Sequence, residues 1–183
     1  MREIALHILD IAENSIAAGA DLINILVDEA RKKNILNIEI KDNGRGIPAK
    51  MFNNVTDPFA TTRTTRRVGM GLSLLKAAAL RCDGSFNIES SPGKGTKVNA
   101  GFRFDHIDRA PLGNMADSLM VLIAGHPDTD FIYTHIIDEN DFVLDTLEIK
   151  KELEDIPITD PSIIFQLTGL IKKNLKALES KEK

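Results

Sequence analysis

Polar side chains recur at helical spacing in and just before the apolar stretch HILDIAENSIAAGA, residues 7–20. On a helix, Glu3, His7, Asp10 and Asn14 fall within about 60° of one another, beside an arc of apolar residues. Carboxylate, imidazole and amide groups are costly to bury without partners, so this flank either meets a ligand or faces water. The second alternative is the solvated edge of an ordinary amphipathic helix. Residues elsewhere in the chain must decide between the two.

Two predicted strands end in polar residues on their core side. In NILNIEIKD, Asp42 continues the face of Leu36, Ile38 and Ile40, and in TKVNAGFRF, Thr96 shares the side of the apolar residues. An acid and a hydroxyl therefore join the acid and amide of the helix at an apolar interior. Polar groups that converge in this way indicate a ligand site more than a core.

Glycines indicate the kind of ligand. Gly44 and Gly46 in DNGRGIP allow the backbone to approach a flat, bulky group. Gly69 and Gly71 precede a predicted helix, whose free N–H groups and dipole favour an anion such as phosphate. A Walker P-loop is excluded, because PGKGT lacks the required ending and lies in a predicted hairpin.

The elements that position these groups follow from periodicity and turn signals. We predict a helix from about Arg2 to Ala18, closed by Gly19. It is followed by strands over 21–30 and 34–42, a helix over 69–82 and a hairpin over 85–104. Residues 51–68 are rich in Thr and Arg with a weak apolar pattern, which predicts a mobile loop, with residues 53–68 as the segment that nucleotide would order.

The C-terminal part is predicted as a separate α-β-β-α pattern after a linker. It comprises a helix from about Asn114 to Ala124, strands over 130–137 and 142–149, and a last helix that Asp160 and Pro161 begin. This part could extend the sheet, cover its face or bind a partner.

Composition sets limits on the class of protein. The chain has 183 residues, a net charge of −4 and 43% hydrophobic residues, as expected for a soluble globular protein. There is no basic excess to favour nucleic acid, and Cys82 is the single cysteine, which excludes a disulfide framework. No signal peptide or apolar run of membrane-spanning length is present, so we expect a cytoplasmic protein without a membrane segment.

The order of these motifs resembles the GHKL ATPase superfamily, which includes gyrase B, heat-shock chaperone ATPases, histidine kinases and MutL. ENSIAAGA is similar to the MutL form of the N box, and DNGRGIP to the first glycine box. PFATTR resembles the segment that leads into the lid, GMGLSLLK the second glycine box, and SSPGKGT the third. The resemblance covers about residues 3–104.

The resemblance implies the Bergerat-type fold, an α/β two-layer sandwich. Its mixed, mostly antiparallel sheet carries helices on one face, and the C-terminal extension is added to it. We therefore expect an ATP-binding domain over 1–104, a linker over 105–113 and the extension over 114–183.

The resemblance also assigns roles to residues. Asn14 would bind the Mg²⁺ that bridges the ATP phosphates, Asp10 would act as general base, and Asp42 would accept the adenine amino group. Thr96 would support the adenine through water. The further nucleotide-binding positions are Gly44, Gly46, Ile47, Thr62, Arg63, Gly69, Met70, Gly71 and Leu72. His7 stays open between a contact to Asp10 and a partly buried or pocket-rim histidine.

Some residues depart from the family pattern. Asp10 stands where gyrase, MutL and anti-sigma kinases have Glu, and it is one methylene shorter. Ala17 stands where histidine kinases often have Lys, so the phosphate charge must be met elsewhere, with Arg63, Arg66 and Arg67 as candidates.

The segment HIDRAPL partly resembles the kinase phosphoacceptor box HELRTPL, with His106 at the histidine position. It lies after the ATP-binding region rather than before it. The alternative is a linker in which Asp108 and Arg109 fix the C-terminal part.

The resemblance implies a protein that binds ATP and Mg²⁺ and transfers the γ-phosphate to a separate protein, as a histidine-kinase-like or anti-sigma-like kinase. The alternatives are an ATPase switch that controls a partner and a non-catalytic nucleotide-binding module. The expected partners are a protein substrate and, for a dimeric form, a second copy of the chain.

Overall fold

The computed structural model describes residues 3–48 and 70–180. Its elements in chain order are α1 (Ile4–Ala17), β1 (Leu22–Ala30), a 3-10 turn (Arg31–Lys33), β2 (Ile35–Asp42), α2 (Met70–Arg81), β3 (Ser85–Ser90), β4 (Thr96–Arg103), α3 (Met115–Gly125), β5 (Asp130–Ile137), β6 (Asn140–Asp145), α4 (Thr146–Leu153) and α5 (Pro161–Ser180). Among these residues, no helix combines the length and apolar character needed to span a membrane.

The six strands form one mixed sheet in the order β3-β4-β2-β1-β5-β6. All neighbouring pairs are antiparallel except β1 and β5, which run parallel with Leu22 opposite Asp130. The expected α/β sandwich with a mostly antiparallel sheet is therefore confirmed. Of the three alternatives for the C-terminal part, the structure shows that it extends the sheet, because β5 and β6 pair on the β1 side.

The core lies between one face of the sheet and the helices. Alternate strand residues point to this side, as in β1, where Ile23, Ile25 and Val27 are buried. In the helical layer, α1 packs between α2 and α3, and α3 packs against α5. Because α1 sits in the middle of this layer, its polar flank is held between two other helices.

The ends of α1 are fixed by the chain around it. The backbone N–H groups of Ile4 and Ala5 donate to the carbonyl oxygens of Pro111 and Leu112, so the 105–113 segment satisfies donors that a helix start leaves free. At the other end, Gly19 has a φ of +78°, as predicted for the residue that closes the helix.

One predicted element is wrong. The strand expected over 142–149 ends at Asp145, and residues 146–153 form α4. The side chain of Asp145 accepts hydrogen bonds from the N–H groups of Leu147 and Glu148, so it caps a helix and ends the strand. The extension is therefore α-β-β-α-α rather than α-β-β-α.

Candidate nucleotide site

The carboxylate of Asp42 organises one end of the sheet. It lies at the end of β2 under α1, and 6% of the residue is exposed. The Ser15 hydroxyl donates to Oδ2 at 2.7 Å, and the N–H groups of Gly44 and Thr96 donate to Oδ1 at 2.9 and 3.1 Å. Because a carboxylate offers about four acceptor positions, these donors leave one position on Oδ2 for a further donor among the described residues.

The turn between β3 and β4 is fastened to the same end of the sheet. The Ser90 hydroxyl donates to the Gly95 carbonyl at 2.9 Å and lies 2.9 Å from the Thr96 hydroxyl, and it accepts from the Ile47 N–H at 2.9 Å. Gly95 has a φ of +80°, and a methyl group there would overlap the carbonyl of Asp42. The first and third glycine-rich segments thus form one unit around Asp42.

Asp10 lies on the exposed flank of α1, against the first turn of α2. A methyl group on Gly71 would overlap the Asp10 carboxylate, so a larger residue there would force this exposed side chain to turn away. Loss of hydration, followed by the negative charge of Glu13, raises the pKa of the Asp10 carboxyl. A raised pKa makes this carboxylate a better proton acceptor near neutral pH.

Asn14 lies one helical turn after Asp10 and is half-buried. Its side-chain amide has no hydrogen-bond partner among residues 3–48 and 70–180. No group of three or more His, Cys, Asp or Glu residues in that part of the chain could hold a metal by itself. Mg²⁺ in ATP-binding sites typically takes one or two protein oxygens, with phosphate oxygens and water completing the shell, so a free Asn14 amide fits such an ion.

His7 is buried rather than at a pocket rim. It is 3% exposed, and its Nδ1 has no hydrogen-bond partner within residues 3–48 and 70–180. Burial lowers the pKa of His7 to about 4, so the imidazole is neutral at physiological pH. No hydrogen bond joins His7 to Asp10 among the described residues.

Several predicted positions fall outside the described residues. These are Thr62, Arg63, Arg66, Arg67, Gly69 and the whole predicted loop over 51–68. Met70 begins α2, but its side chain is not described, and Leu72 is half-buried against the core. The phosphate-facing part of the site therefore stays a prediction.

Sequence reasoning missed two contacts of α1. The first is the hydrogen bond from Ser15, whose place on the core side of the helix beside Asn14 was available as a signal. The second joins α1 to the C-terminal part: Nε2 of His126, just after α3, lies 3.0 and 3.2 Å from the two carboxylate oxygens of Glu13. The helix that carries the site is therefore in direct polar contact with the extension.

A second buried polar cluster lies at the opposite end of β1. Nε2 of His135 lies 3.0 Å from Glu29 Oε1, and its Nδ1 lies 2.6 Å from the Tyr133 hydroxyl. Arg31 donates two hydrogen bonds to Glu29 Oε2 at 2.6 and 2.9 Å. Despite burial, these partners together lower the pKa of Glu29. The parity of DFIYTHII, which puts Tyr133 and His135 on the core side of β5, was a signal for this cluster.

His106 also lies away from Asp42. It follows β4 at the end opposite Thr96, so about eight residues of strand, roughly 25 Å, separate it from that end of the sheet. Its Nδ1 accepts from the Asp108 N–H at 3.1 Å, and Arg109 stacks 4.6 Å from the Phe104 ring centre. These contacts support the linker interpretation of HIDRAPL.

The fold and the Asp42 site define a class of protein, and comparison with known proteins identifies it. Residues 2–107 match the family of histidine kinase-, DNA gyrase B- and HSP90-like ATPases, and the chain belongs to that family. It is 37% identical over 84 residues to the sensor histidine kinase YxdK of Bacillus subtilis, and 33% identical over 93 residues to sporulation kinase D of the same organism. These alignments cover 44% and 50% of this chain but only 25% and 18% of the two kinases.

The solved structures support the same fold. The ATPase domain of Aquifex aeolicus MutL, solved with ADP, superposes with a TM-score of 0.52 at 15% identity. The match covers 91% of this chain and 70% of that one. The N-terminal domain of a DNA repair protein gives a TM-score of 0.57 at 16% identity, over 79% of this chain and 53% of that one.

Proposed function

We propose that this chain binds ATP with Mg²⁺ and transfers the γ-phosphate to a separate protein. The observation that carries the proposal is the exposed Asp10 carboxylate beside the first turn of α2, with Asn14 one helical turn away. A proton acceptor at the molecular surface is accessible to a group on another protein. The similarity to two Bacillus subtilis kinases over the ATPase region supports the same class of reaction.

Asp42 is proposed to recognise the base. The open acceptor position on its Oδ2 matches the donor that the adenine amino group offers. The hydroxyl of Ser15 and the N–H groups of Gly44 and Thr96 fix the carboxylate without neutralising it. The similarity in fold to a MutL ATPase domain that was solved with ADP supports a nucleotide as the ligand.

The phosphates are proposed to lie between α1 and the start of α2. The side-chain oxygen of Asn14 would hold Mg²⁺, and the N–H of Gly71 at the beginning of α2 would donate to a phosphate oxygen. The ion, when bound, supplies charge neutralisation for the transferring phosphoryl group. Arg63, Arg66 and Arg67 are proposed to add positive charge. Ile47 and Leu72 are proposed to contact the nucleoside.

A second candidate function is an ATPase switch, in which hydrolysis changes the binding of a partner. The contact between Glu13 and His126 favours it, because it links the helix of the site directly to the C-terminal extension. A shift of α1 on nucleotide binding would reach α3 through this pair. The net charge of −4 supports a protein rather than a nucleic acid as the partner. The proposed location of this partner is the cytoplasm.

Incubation with ATP radiolabelled at the γ-phosphate tests the proposal. The purified chain is mixed with a lysate of the organism that produces it, and protein-bound label and free phosphate are measured. The Asp42→Asn variant is the control, because it should lose nucleotide binding and hence any label that this chain transfers.

Three outcomes separate the functions. Label on a protein that disappears with Asp42→Asn supports phosphotransfer, and loss of this label in acid identifies the acceptor as histidine or aspartate rather than serine. Release of free phosphate alone supports the ATPase switch. ATP binding with neither product would overturn both and identify a non-catalytic module.

A further inference from the structure

The hydroxyl of Ser90 uses all of its hydrogen-bonding capacity within the fold. It lies 2.9 Å from three groups: the backbone N–H of Ile47, the backbone carbonyl of Gly95 and the hydroxyl of Thr96. A serine hydroxyl offers one proton and two acceptor positions. Because an N–H only donates and a carbonyl only accepts, Ser90 accepts from Ile47 and gives its single proton to Gly95. The Thr96 hydroxyl must therefore donate to Ser90.

The fold fixes the direction of this bond without a ligand. Ser90 and Thr96 are directly opposite each other where β3 and β4 pair. The other two partners come from different glycine-rich segments, Ile47 from the first and Gly95 from the third. Three segments of the chain thus hold the Ser90 hydroxyl in one orientation.

The direction of the bond determines what Thr96 can offer to a ligand. With its proton committed to Ser90, the Thr96 hydroxyl has only lone pairs for a further partner. No other group within residues 3–48 and 70–180 hydrogen bonds to this hydroxyl. Thr96 is half-buried at the first position of β4, and its backbone N–H donates to Oδ1 of Asp42 at 3.1 Å.

Asp42 and Thr96 therefore both present acceptors. The open position on Asp42 Oδ2 accepts, and so does the Thr96 oxygen. A group that satisfies both must donate two hydrogen bonds, directly or through a water that donates to Thr96 and accepts from the ligand. An exocyclic amino group has two N–H bonds to donate. A carbonyl oxygen in the same place has none and would leave both acceptors without a donor.

We infer that Ser90 is a positioning residue that sets the base specificity of the nucleotide site. By accepting the proton of Thr96, it selects a purine with an amino group at position 6 and excludes one with an oxygen there. Ser90 acts through Thr96 and does not itself contact the base. The inference rests on the proposed recognition of the base by Asp42, but it does not require phosphotransfer.

Calorimetric titration with the Mg²⁺ complexes of ATP and inosine triphosphate, which carries an oxygen at position 6, tests the inference. In Ser90→Ala, the Thr96 hydroxyl is free to donate to that oxygen, so the preference for ATP should fall about tenfold relative to the wild type. Ser90→Thr keeps the hydroxyl and should keep the wild-type preference. A loosened turn would weaken both nucleotides alike, so an unchanged preference in Ser90→Ala would overturn the inference.

Ser91→Ala is the matched control. Ser91 is the next residue along the chain, it is exposed, and its side chain has no hydrogen-bond partner among the described residues. The preference for ATP should therefore not change in this variant. An equal fall in Ser90→Ala and Ser91→Ala would overturn the role of Ser90.

A second measurement does not depend on whether Ser90→Ala folds. N6-methyl-ATP retains one of the two N–H bonds, so the wild type should bind it about tenfold more weakly than ATP. Thr96→Val has nearly the same shape without the acceptor, and it should bind the two nucleotides alike. Equal binding by the wild type, or a difference that Thr96→Val preserves, would overturn the inference, because the second N–H would then not meet Thr96.

The two proposals fail in different ways. A wild type that binds no ATP would overturn the proposed function and this inference together. ATP binding without phosphotransfer would overturn the proposed kinase function alone, since the base preference is measured by binding.

Discussion

Asp42 and Glu29 are buried carboxylates at opposite ends of the same sheet face, and they are treated differently. Their residues are 6% and 7% exposed. Within the described part of the chain, Asp42 accepts hydrogen bonds from uncharged groups only, with one acceptor position left open. Glu29 is held by Arg31 and by the buried His135. The two ends therefore differ in the charge of their partners rather than in their burial.

This difference separates a ligand site from a structural cluster. Uncharged donors orient Asp42 but leave its negative charge available to strengthen a hydrogen bond from a ligand. A guanidinium and an imidazole instead use the acceptor capacity of Glu29 within the fold. Burial alone does not identify a functional carboxylate; the hydrogen-bond inventory does.

The largest effect is expected at the Glu29 end of the sheet. Glu29→Ala should lower the free energy of unfolding by about 3–5 kcal/mol, because it removes the buried carboxylate that contacts Nε2 of His135 and accepts two hydrogen bonds from Arg31. ATP affinity should not change. Urea denaturation measures the first quantity and calorimetry the second. Glu39→Ala is the matched control, since Glu39 pairs with Lys97 at the surface and its loss should cost less than about 1 kcal/mol. Equal losses in the two variants would remove the distinction between the ends.

At the Asp42 end of the sheet, Asp10→Asn should lower turnover about 100-fold with ATP affinity nearly intact. The substitution removes the proton acceptor and keeps the shape of the side chain. Initial-rate kinetics with a nucleotide titration separates the two quantities. Parallel loss of affinity and turnover would instead assign Asp10 to the Mg²⁺ site. Full turnover would exclude it from the mechanism.

Asp42→Asn should weaken ATP binding more than tenfold, since a charge-assisted hydrogen bond is worth about 1.5–3 kcal/mol. Its effect on folding should be small, because the asparagine Oδ1 still accepts from Gly44 and Thr96, and its amide can donate to Ser15. Titration calorimetry on the folded variant measures the affinity. Unchanged affinity would show that the open position on Oδ2 has no role in ATP binding.

The smallest effect concerns pH. The pKa of His7 is about 4 in the folded state and 6.5 in the unfolded chain, so below pH 6.5 protons bind preferentially to the unfolded chain. Stability should fall by roughly 1 kcal/mol between pH 6.5 and 5.5. His7→Phe should remove this slope. Denaturation curves at the two pH values measure it, and an equal slope in wild type and variant would assign the titration to another group.

The contribution of Glu29 to stability should change in a different pH range from that of His7. The pKa of Glu29 is lowered in the folded state, so its contribution to stability is complete above the unfolded value of about 4.3 and is lost as the pH falls through the folded value. The two windows distinguish α1 from the Glu29 cluster.

The sequence was sufficient for the parts of the fold that depend on local chemistry. Alternation placed Asp42 and Thr96 on the core side of their strands, and glycines marked the turns that bring them together. The sequence also carries a helix-start signal at Asp145, because Asp-Thr-Leu-Glu is typical of a helix N-terminus. The alternation of apolar residues before it favoured a longer strand instead.

Contacts between distant segments could not be predicted from local sequence patterns. The hydrogen bond of Glu13 to His126 and the pairing of β1 with β5 depend on where the extension docks, which no local pattern specifies. The roles of Thr62, Arg63 and Gly69 stay predictions, because these residues lie outside the described part of the chain.

The parallel pairing of β1 with β5 has a consequence for how the protein is made. Roughly one hundred residues separate Leu22 from its neighbour Asp130, and ribosomes add about 5–20 residues per second. For at least several seconds, the nascent chain therefore carries β1 with one edge unsatisfied, and unpaired strand edges recruit other strands. Closing so long a connection also makes this step late and slow. During synthesis, this edge of β1 therefore stays open to pairing with other strands until β5 has emerged.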